Sequence, residues 1–275
     1  MEGHRARKRF SQNFLHDAGI VERILAAIDP RPGQHLVEIG PGTGALTAQL
    51  IARVGHISAI EIDRDLAAHL RERFDPQALE LITADALRLD WLRLAHQLGG
   101  ALRIVGNLPY HVSTPLLFCL LAIADQVKDQ HFMLQREVVE RMAAAPGGKD
   151  YGRLSVMLQF RYRIERLFHV GAGSFRPAPK VRSSVVRMTP IDDQELAPVA
   201  KPVFAAVVAE AFSQRRKTLR NSLARLLSEA QIEQAQVNPG ARAETLDVAA
   251  FVRLAKCVEE WRVAALLTRR LEANP

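Results

Sequence analysis

The sequence predicts an α/β protein in which an open, Rossmann-like and mostly parallel sheet is followed by a small all-α carboxyl-terminal domain. Three observations predict it. Short apolar, β-branched runs alternate with helix-like segments over most of the chain, and the glycine-rich turn at residues 40–44 follows the first such run. Beyond a stretch with three prolines, at residues 190–202, the pattern is helical only. We therefore assign residues 1–190 to the first domain and 191–275 to the second.

The composition is that of an ordinary globular protein without a membrane span. The chain has 275 residues, of which 48% are hydrophobic, and no apolar run approaches the roughly 20 residues that a span requires. The basic amino terminus lacks the apolar core of a signal peptide, so we expect a cytoplasmic protein. Cys119 and Cys257 lie far apart, and the nine histidines show no paired spacing. We therefore expect buried, reduced cysteines and no metal site.

The net charge of +7 favours a polyanionic partner. Cations form a basic arm at residues 4–9 and a second cluster at Arg215-Arg216-Lys217. Either run alone also fits a solvated tail or a set of helix caps. Further cations of the first domain join them and favour contact with a nucleic acid: Arg136, Arg153, Arg176, Lys180 and Arg182.

The first predicted strand, residues 35–39, runs into Gly40-Pro41-Gly42-Thr43-Gly44 and then a helix at 46–54, after an earlier helix at 17–28. Glycines let the backbone turn sharply and approach a ligand, which faces the helix amino terminus. The spacing fits the G-x-G-x-x-G/A pattern of dinucleotide-binding proteins and equally the Gly-x-Gly-x-Gly of methyltransferases, so nicotinamide binding stays open at this point.

Acidic residues follow the next two predicted strands. The second strand, residues 57–60, ends at Glu61, where a carboxylate can accept hydrogen bonds from both hydroxyls of a ribose. The third, residues 79–85, ends in Asp85, whose carboxylate can accept from the exocyclic amine of an adenine, as S-adenosylmethionine requires. Each acid alone also fits an exposed turn. Their succession at strand ends favours one ligand site.

The fourth predicted strand, residues 101–105, delivers Asn107-Leu108-Pro109-Tyr110 to the same edge of the sheet. The Asn107 side-chain oxygen and a nearby backbone carbonyl can accept from a planar amino group and favour its pyramidal form. Pro109 stiffens the loop, and Tyr110 can stack on a base. The alternative is an ordinary turn that leaves a strand.

The rest of the first domain contains a predicted helix at 115–124 and strands at 131–134, 168–170 and 181–188. Prolines hold the intervening loop at 174–180 extended. Phe175 in this loop fits the second face of a base sandwich and equally a core phenylalanine. In the second domain we predict helices at 203–212 and 248–267.

Together these residues resemble the ribosomal RNA adenine dimethyltransferases, and in particular the bacterial enzymes that dimethylate adjacent adenosines near the 3′ end of small-subunit rRNA. The likeness covers almost the whole chain and includes the runs Gln12-Asn13-Phe14-Leu15, Glu38-Ile39-Gly40-Pro41-Gly42-Thr43-Gly44, Glu61-Ile62-Asp63, Ala84-Asp85, Asn107-Leu108-Pro109-Tyr110, Gln135-Arg136-Glu137-Val138, Tyr151-Gly152-Arg153-Leu154-Ser155-Val156 and Ser174-Phe175 through Pro179-Lys180-Val181.

The resemblance implies a class I methyltransferase sheet, S-adenosylmethionine as methyl donor, and small-subunit rRNA or the immature 30S particle as partner, with a helical RNA-binding domain after it. It implies no metal and no membrane, and we expect a monomer. The cofactor residues that it implies are Asn13, Leu15, Gly40, Glu61, Asp85 and Asn107. The residues that it implies for the target adenine are Asn107, Leu108, Tyr110 and Phe175.

Two alternatives remain within the resemblance. The drug-resistance enzymes that methylate a large-subunit adenine look similar up to the proline loop, but the run at residues 214–222 is similar to the small-subunit enzymes. A non-catalytic RNA- or DNA-binding factor on the same fold is the other. The intact glycine loop and the intact Asn107 to Tyr110 run favour catalysis.

Overall fold

The computed structural model describes residues 13–192, 198–214 and 216–272, with side chains described as far as Trp261. Gln12, the basic arm and Arg215 lie outside the described residues. The strands are β1 (Phe14–Leu15), β2 (Leu36–Ile39), β3 (Ile57–Glu61), β4 (Leu79–Thr83), β5 (Leu102–Asn107), β6 (Val127–Gln135), β7 (Tyr162–Val170), β8 (Phe175–Arg176) and β9 (Ser183–Pro190). The α-helices are α1 (Ala18–Ile28), α2 (Ala45–Val54), α3 (Arg64–Arg73), α4 (Trp91–Gln97), α5 (Tyr110–Leu120), α6 (Arg136–Met142), α7 (Arg153–Gln159), α8 (Lys201–Ala211), α9 (Leu219–Ser222), α10 (Glu229–Gln234) and α11 (Val248–Glu272).

Seven strands form one sheet in the order β4-β3-β2-β5-β6-β9-β7. The first five run parallel, and β9 and β7 are antiparallel to their neighbours. The α/β class predicted from the sequence is confirmed. The parallel strands bring Ile39, Glu61, Thr83 and Asn107 to the same edge, because the carboxyl ends of parallel strands lie together.

The sheet interior is apolar, as its β-branched runs predict. Every residue of β2 and β3 is buried, which is typical of a parallel sheet covered on both faces. Val21, Ile24 and Leu25 of α1 join the core that also contains Val105 and Met133. Burial of each such side chain contributes roughly 1.5–3 kcal/mol to folding.

Two arginines of the sheet cap the carboxyl end of α1. Arg187 donates from Nη2 to the Ala27 carbonyl at 2.7 Å, and Arg103 donates to the carbonyls of Ile28 and Asp29. Arg103 also forms a buried ion pair with Asp129 at 2.7 Å. Burial acts against ionisation of Asp129, but the adjacent His131 and Arg103 lower its pKa to about 2. The ion pair is therefore charged over the whole physiological range.

A second sheet of two antiparallel strands, β1 and β8, pairs Phe14 with Arg176 and Leu15 with Phe175. The Ser174 hydroxyl donates to Asp17 at 2.9 Å, and Asp17 also caps the amino terminus of α1. Segment 13–17 is therefore tied to the loop at 174–176. Neither short strand is among the elements predicted from the sequence.

The contacts divide the chain into two compact units, residues 1–140 with 162–190 and residues 141–161 with 191–275. The predicted single boundary after residue 190 differs from this division. Residues 141–161 belong with the second unit because Phe160 stacks on Phe204 at 3.9 Å between centroids, and the Tyr151 hydroxyl donates to the Leu246 carbonyl. A single boundary along the sequence cannot place residues 141–161 with the second unit, because residues 162–190 of the first unit follow them.

Several elements differ from their predicted bounds. α5 begins at Tyr110 and contains Pro115, whereas the sequence predicts a start at Pro115, because proline is usual in the first turn of a helix. β7 extends back to Tyr162, beyond the predicted strand at 168–170. α3 and α4 are not among the predicted elements. No helix in the described parts of the chain is long and apolar enough to cross a membrane.

Candidate active site

The glycine-rich loop between β2 and α2 needs its glycines. Gly40, Gly42 and Gly44 have φ of +68°, +58° and +80°, a region that L side chains rarely adopt. A Cβ on Gly42 would lie 3.1 Å from the Phe14 ring, and one on Gly44 would lie 3.0 Å from Phe74. Side chains at Gly42 and Gly44 would therefore clash with their neighbours, and Gly40 and Gly42 line a cavity at the edge of the sheet.

Glu61 ties the end of β3 to this loop. The side chain is 5% exposed, accepts from the Gly42 N–H at 3.2 Å and accepts from the Asp63 N–H at 2.9 Å. Burial raises the pKa of Glu61, and the two N–H groups offset only part of that rise. The carboxylate lines the cavity, so it is placed to accept further hydrogen bonds from a ligand.

Glu38, which is not among the predicted site residues, also lines the cavity. It accepts from the Thr47 hydroxyl at 2.6 Å and is 2% exposed. Burial raises its pKa to about 7. The signal in the sequence is a lone carboxylate within the apolar run of β2, where an unpaired charge is costly.

Asp85 lies two residues beyond the end of β4 and lines the cavity. Its Oδ1 atom accepts from the Leu87 N–H at 3.0 Å, which fixes the direction of the carboxylate. Ile62, which directly follows the neighbouring strand β3, is 46% exposed although it is a large apolar residue. An acceptor beside an exposed apolar surface suits a flat, amine-bearing ring.

Asn107 is the last residue of β5. Before it, Gly106 lies so close to β2 that a Cβ atom at this position would be 2.6 Å from the Ile39 carbonyl oxygen. The Asn107 side chain donates from Nδ2 to the Asn13 carbonyl at 3.1 Å. A carbonyl can only accept, so the atom of Asn107 that faces Asn13 is Nδ2. The other end of the amide, Oδ1, is then left as an acceptor. The bond to Asn13 thus fixes the orientation of the amide.

The residues after Asn107 are equally fixed. The Leu108 N–H donates to the Met133 carbonyl at 3.2 Å, and Pro109 leads into α5. Tyr110 opens that helix, and its hydroxyl lies 2.8 Å from the Ser183 hydroxyl. Burial raises the pKa of Tyr110, and the hydrogen bond with Ser183 offsets only part of that rise. The phenol is therefore neutral at physiological pH.

One cavity brings together all of the predicted site residues except Phe175: Asn13, Leu15, Gly40, Glu61, Asp85, Asn107, Leu108 and Tyr110. Phe175 does not line it. The side chain is 4% exposed and packs in the hydrophobic core with Leu15, Val170 and Val185, because β8 pairs with β1 there. Of the two readings of Phe175, the structure supports the core residue.

The cations of the second unit differ in their surroundings. Arg216 and Lys217 are exposed, whereas Arg220 pairs with Glu229 at 3.2 Å. Within the described residues, no three histidine, cysteine or acidic side chains form a group that could hold a metal ion.

Comparison with known proteins decides between the ligand classes. The family model described as ribosomal RNA adenine dimethylase matches residues 3–260. The chain belongs to the ribosomal RNA adenine dimethylase family. Membership removes the dinucleotide-binding alternative that the glycine spacing left open.

Curated relatives of this dimethylase family chain include proteins named ribosomal RNA small subunit methyltransferase A. The relative from Aromatoleum aromaticum is 54% identical over 254 residues, covering 92% of this chain and 94% of its own. The relative from Pseudomonas aeruginosa is 54% identical over 258 residues, and the match covers 94% of this chain and 96% of the relative.

Two solved structures share the dimethylase fold. A dimethyladenosine transferase from Plasmodium falciparum superimposes with a TM-score of 0.72 at 24% identity, covering 88% of this chain and 95% of its own. The 23S rRNA methyltransferase ErmE superimposes with a TM-score of 0.67 at 26% identity, and the match covers 90% of this chain and 100% of ErmE. The class I methyltransferase sheet predicted from the sequence is confirmed.

Proposed function

We propose that this protein transfers methyl groups from S-adenosylmethionine to the N6 amino groups of two adjacent adenosines near the 3′ end of small-subunit rRNA, giving N6,N6-dimethyladenosine during assembly of the small subunit. The observation that carries the proposal is the oriented Asn107 amide at a cavity that also presents Gly40, Glu61 and Asp85. The 54% identical relatives named for the small subunit support this substrate over the large subunit.

The residues present fit the cofactor. Glu61 offers carboxylate oxygens for two ribose hydroxyls, and Asp85 offers an acceptor for the adenine amine beside the apolar Ile62. Gly40 and Gly42 line the cavity without a side chain, so a ligand can approach their backbone closely. When bound, S-adenosylmethionine supplies an activated methyl group on a sulfonium. We assign Asn13, Leu15, Gly40, Glu61, Asp85 and Asn107 to its binding.

The chain's contribution to the reaction is orientation and charge stabilisation. Asn107 Oδ1 and the Leu108 carbonyl accept from the target amine, which shifts its lone pair out of the ring and makes it nucleophilic. Tyr110 stacks on the base. A stacked adenine cannot reach this loop, so the target base leaves its stack. The monomethyl product enters the same site for the second transfer.

Exposed cations fit an RNA partner that is held mainly through phosphates. Arg216 and Lys217 belong to this surface. We further propose that the protein acts as a monomer in the cytoplasm on an immature 30S particle.

The test is transfer of labelled methyl to small-subunit particles from cells that lack this protein, with particles from methylated cells as the control substrate. We expect two adjacent dimethyladenosines near the 3′ end of the rRNA, located by primer extension and identified by mass spectrometry. Transfer to large-subunit rRNA instead would support the drug-resistance alternative. Tight binding of the particles without transfer to any rRNA would support the non-catalytic factor.

A further inference from the structure

The hydroxyl of Tyr110 has a buried partner on a distant part of the chain. Its oxygen lies 2.8 Å from Oγ of Ser183, 73 residues further along. Ser183 has no exposed surface and is not among the residues that line the cavity. Its side chain contacts the lining of the cavity at Tyr110.

Ser183 stands at a rigid position. It begins β9, where it pairs with Gln135 of β6 on one side and with Val170 of β7 on the other. A residue between two neighbouring strands moves only if the sheet moves, and the short serine side chain adds a single rotatable bond. The hydroxyl is a fixed anchor point.

Tyr110 is thus held at both ends of its side chain. The Cα end is fixed by the first turn of α5, where the Tyr110 carbonyl accepts from the Ser113 hydroxyl at 2.9 Å. The phenol end is fixed by Ser183. Two attachment points fix the direction of the line from Cβ to the hydroxyl, and so they restrict swinging of the ring within the site, which one attachment point would allow.

We propose that Ser183 is a positioning residue that holds the Tyr110 ring in the place where it can stack on the target base. The inference rests on the proposed function and deepens it, because it assigns part of the geometry of that site to a residue that never touches the substrate. Misplacing the target base by about 1 Å can slow the reaction up to about 100-fold, so restricting the position of the ring should have a measurable effect on the methylation rate.

The next residue provides a matched control. Ser184 is also fully buried in β9, but its hydroxyl lies 2.8 Å from Nδ1 of His169. Ser184→Ala removes the same atoms from the same strand without touching Tyr110. Any general effect of deleting a buried hydroxyl appears in both variants.

The experiment compares Ser183→Ala, Tyr110→Phe, the double variant and Ser184→Ala in single-turnover methyl transfer, at saturating S-adenosylmethionine and saturating small-subunit particles. We expect a decrease of about tenfold for each of the first two, and no further decrease in the double variant, because both remove the same bond. Ser184→Ala should stay within about twofold of the unmodified protein, and affinity for S-adenosylhomocysteine should be unchanged in all four.

Thermal unfolding confirms that each variant is folded, and Tyr110→Phe tests the same bond if Ser183→Ala is not. Equal rates for Ser183→Ala and the unmodified protein would overturn the inference, and so would additive losses in the double variant or an equal loss in Ser184→Ala. Absence of transfer by the unmodified protein would count against the proposed function instead.

Discussion

The carboxamide of Asn107 donates to the backbone carbonyl of Asn13 at 3.1 Å, across 94 residues of sequence. Asn13 lies one residue before β1, and Asn107 ends β5. The bond therefore ties the amino-terminal segment to the strand end that presents the proposed acceptor. Substitution of the Asn13 side chain should not remove this bond, because its acceptor is a backbone carbonyl.

Replacing Asn107 tests its proposed role directly. Asn107→Ala should lower the single-turnover methylation rate by about 100-fold or more, since it removes a hydrogen-bonding group that acts in the transition state. The rate is measured at saturating S-adenosylmethionine, so that weaker cofactor binding is not mistaken for slower chemistry. Binding of small-subunit particles, measured by filter retention, should barely change. Methyl transfer at the unmodified rate would remove Asn107 from the mechanism.

Glu61 should make cofactor binding depend on pH. Burial raises its pKa, so the carboxylate becomes protonated at a higher pH than an exposed glutamate. A protonated acid has lost part of its capacity to accept from two hydroxyls, and affinity should therefore fall as the pH is lowered. Calorimetric titration with S-adenosylhomocysteine across the pH range measures this.

Two variants at this position complete the test. Glu61→Gln should bind more weakly and lose the pH dependence, and Glu61→Ala should cost about 2–3 kcal/mol of binding free energy, since charge-assisted bonds are lost. Unchanged affinity in Glu61→Ala would exclude the residue from the site. Tight binding of NAD in the same titration would revive the dinucleotide alternative.

Glu38 should lower stability at neutral and alkaline pH. Its pKa is raised from 4.5 to about 7 in the folded protein, so the fold favours the protonated form. The contribution of protonated Glu38 to the free energy of unfolding is fully present below pH 4.5 and is lost as the pH rises through 7. Glu38→Gln imitates the neutral acid, so it should be more stable than the unmodified protein by about 2–3 kcal/mol at pH 8.

Urea unfolding of the cofactor-free protein at pH 8 and at pH 4.5 measures the difference. The exposed Glu72→Gln provides the control for removal of one negative charge. A stabilisation by Glu38→Gln that is equal at both pH values would mean that burial of the charge is not its cause.

The exposed cations of the second unit should contribute to the salt dependence of RNA binding. Arg216→Gln and Lys217→Gln should each reduce the log–log slope by about 0.9 if the phosphate belongs to a duplex and by about 0.7 if it belongs to a single strand. Arg220→Gln is the control, because Arg220 already pairs with Glu229 and should change the slope less. Equal slopes for all variants would place these side chains away from the RNA.

The sequence predicts most of the site because its signals are local. Gly40, Glu61, Asp85 and Asn107 each lie at the end of an apolar run or within two residues of it. An apolar run followed by such a residue predicts both a strand and a ligand edge, and the parallel sheet brings these strand ends together. Phe175 shows where local signals stop. The proline-rich loop cannot reveal that β8 pairs with β1, and it is this pairing that directs the ring into the core.

Ser183 and residues 141–161 escaped prediction for a related reason. A serine at the start of a strand has no distinctive signal, and its importance comes from a tyrosine 73 residues away. Residues 141–161 contain a turn-rich loop and the short helix α7, and contacts such as that between Phe160 and Phe204 assign them to the second unit. Long-range pairing of this kind is a property of the folded chain.

The discontinuous second unit also sets an order of events at the ribosome that makes this protein. When residues 141–161 have been synthesised, their partners Phe204 and Leu246 have not. The first unit is complete once β9 has emerged at Pro190, whereas the partner of Phe160, Phe204, lies 14 residues further on and the partner of Tyr151, Leu246, lies 56 residues further on. Domains generally fold as units during synthesis, so we expect the sheet to fold first while this inserted segment is still exposed to chaperones.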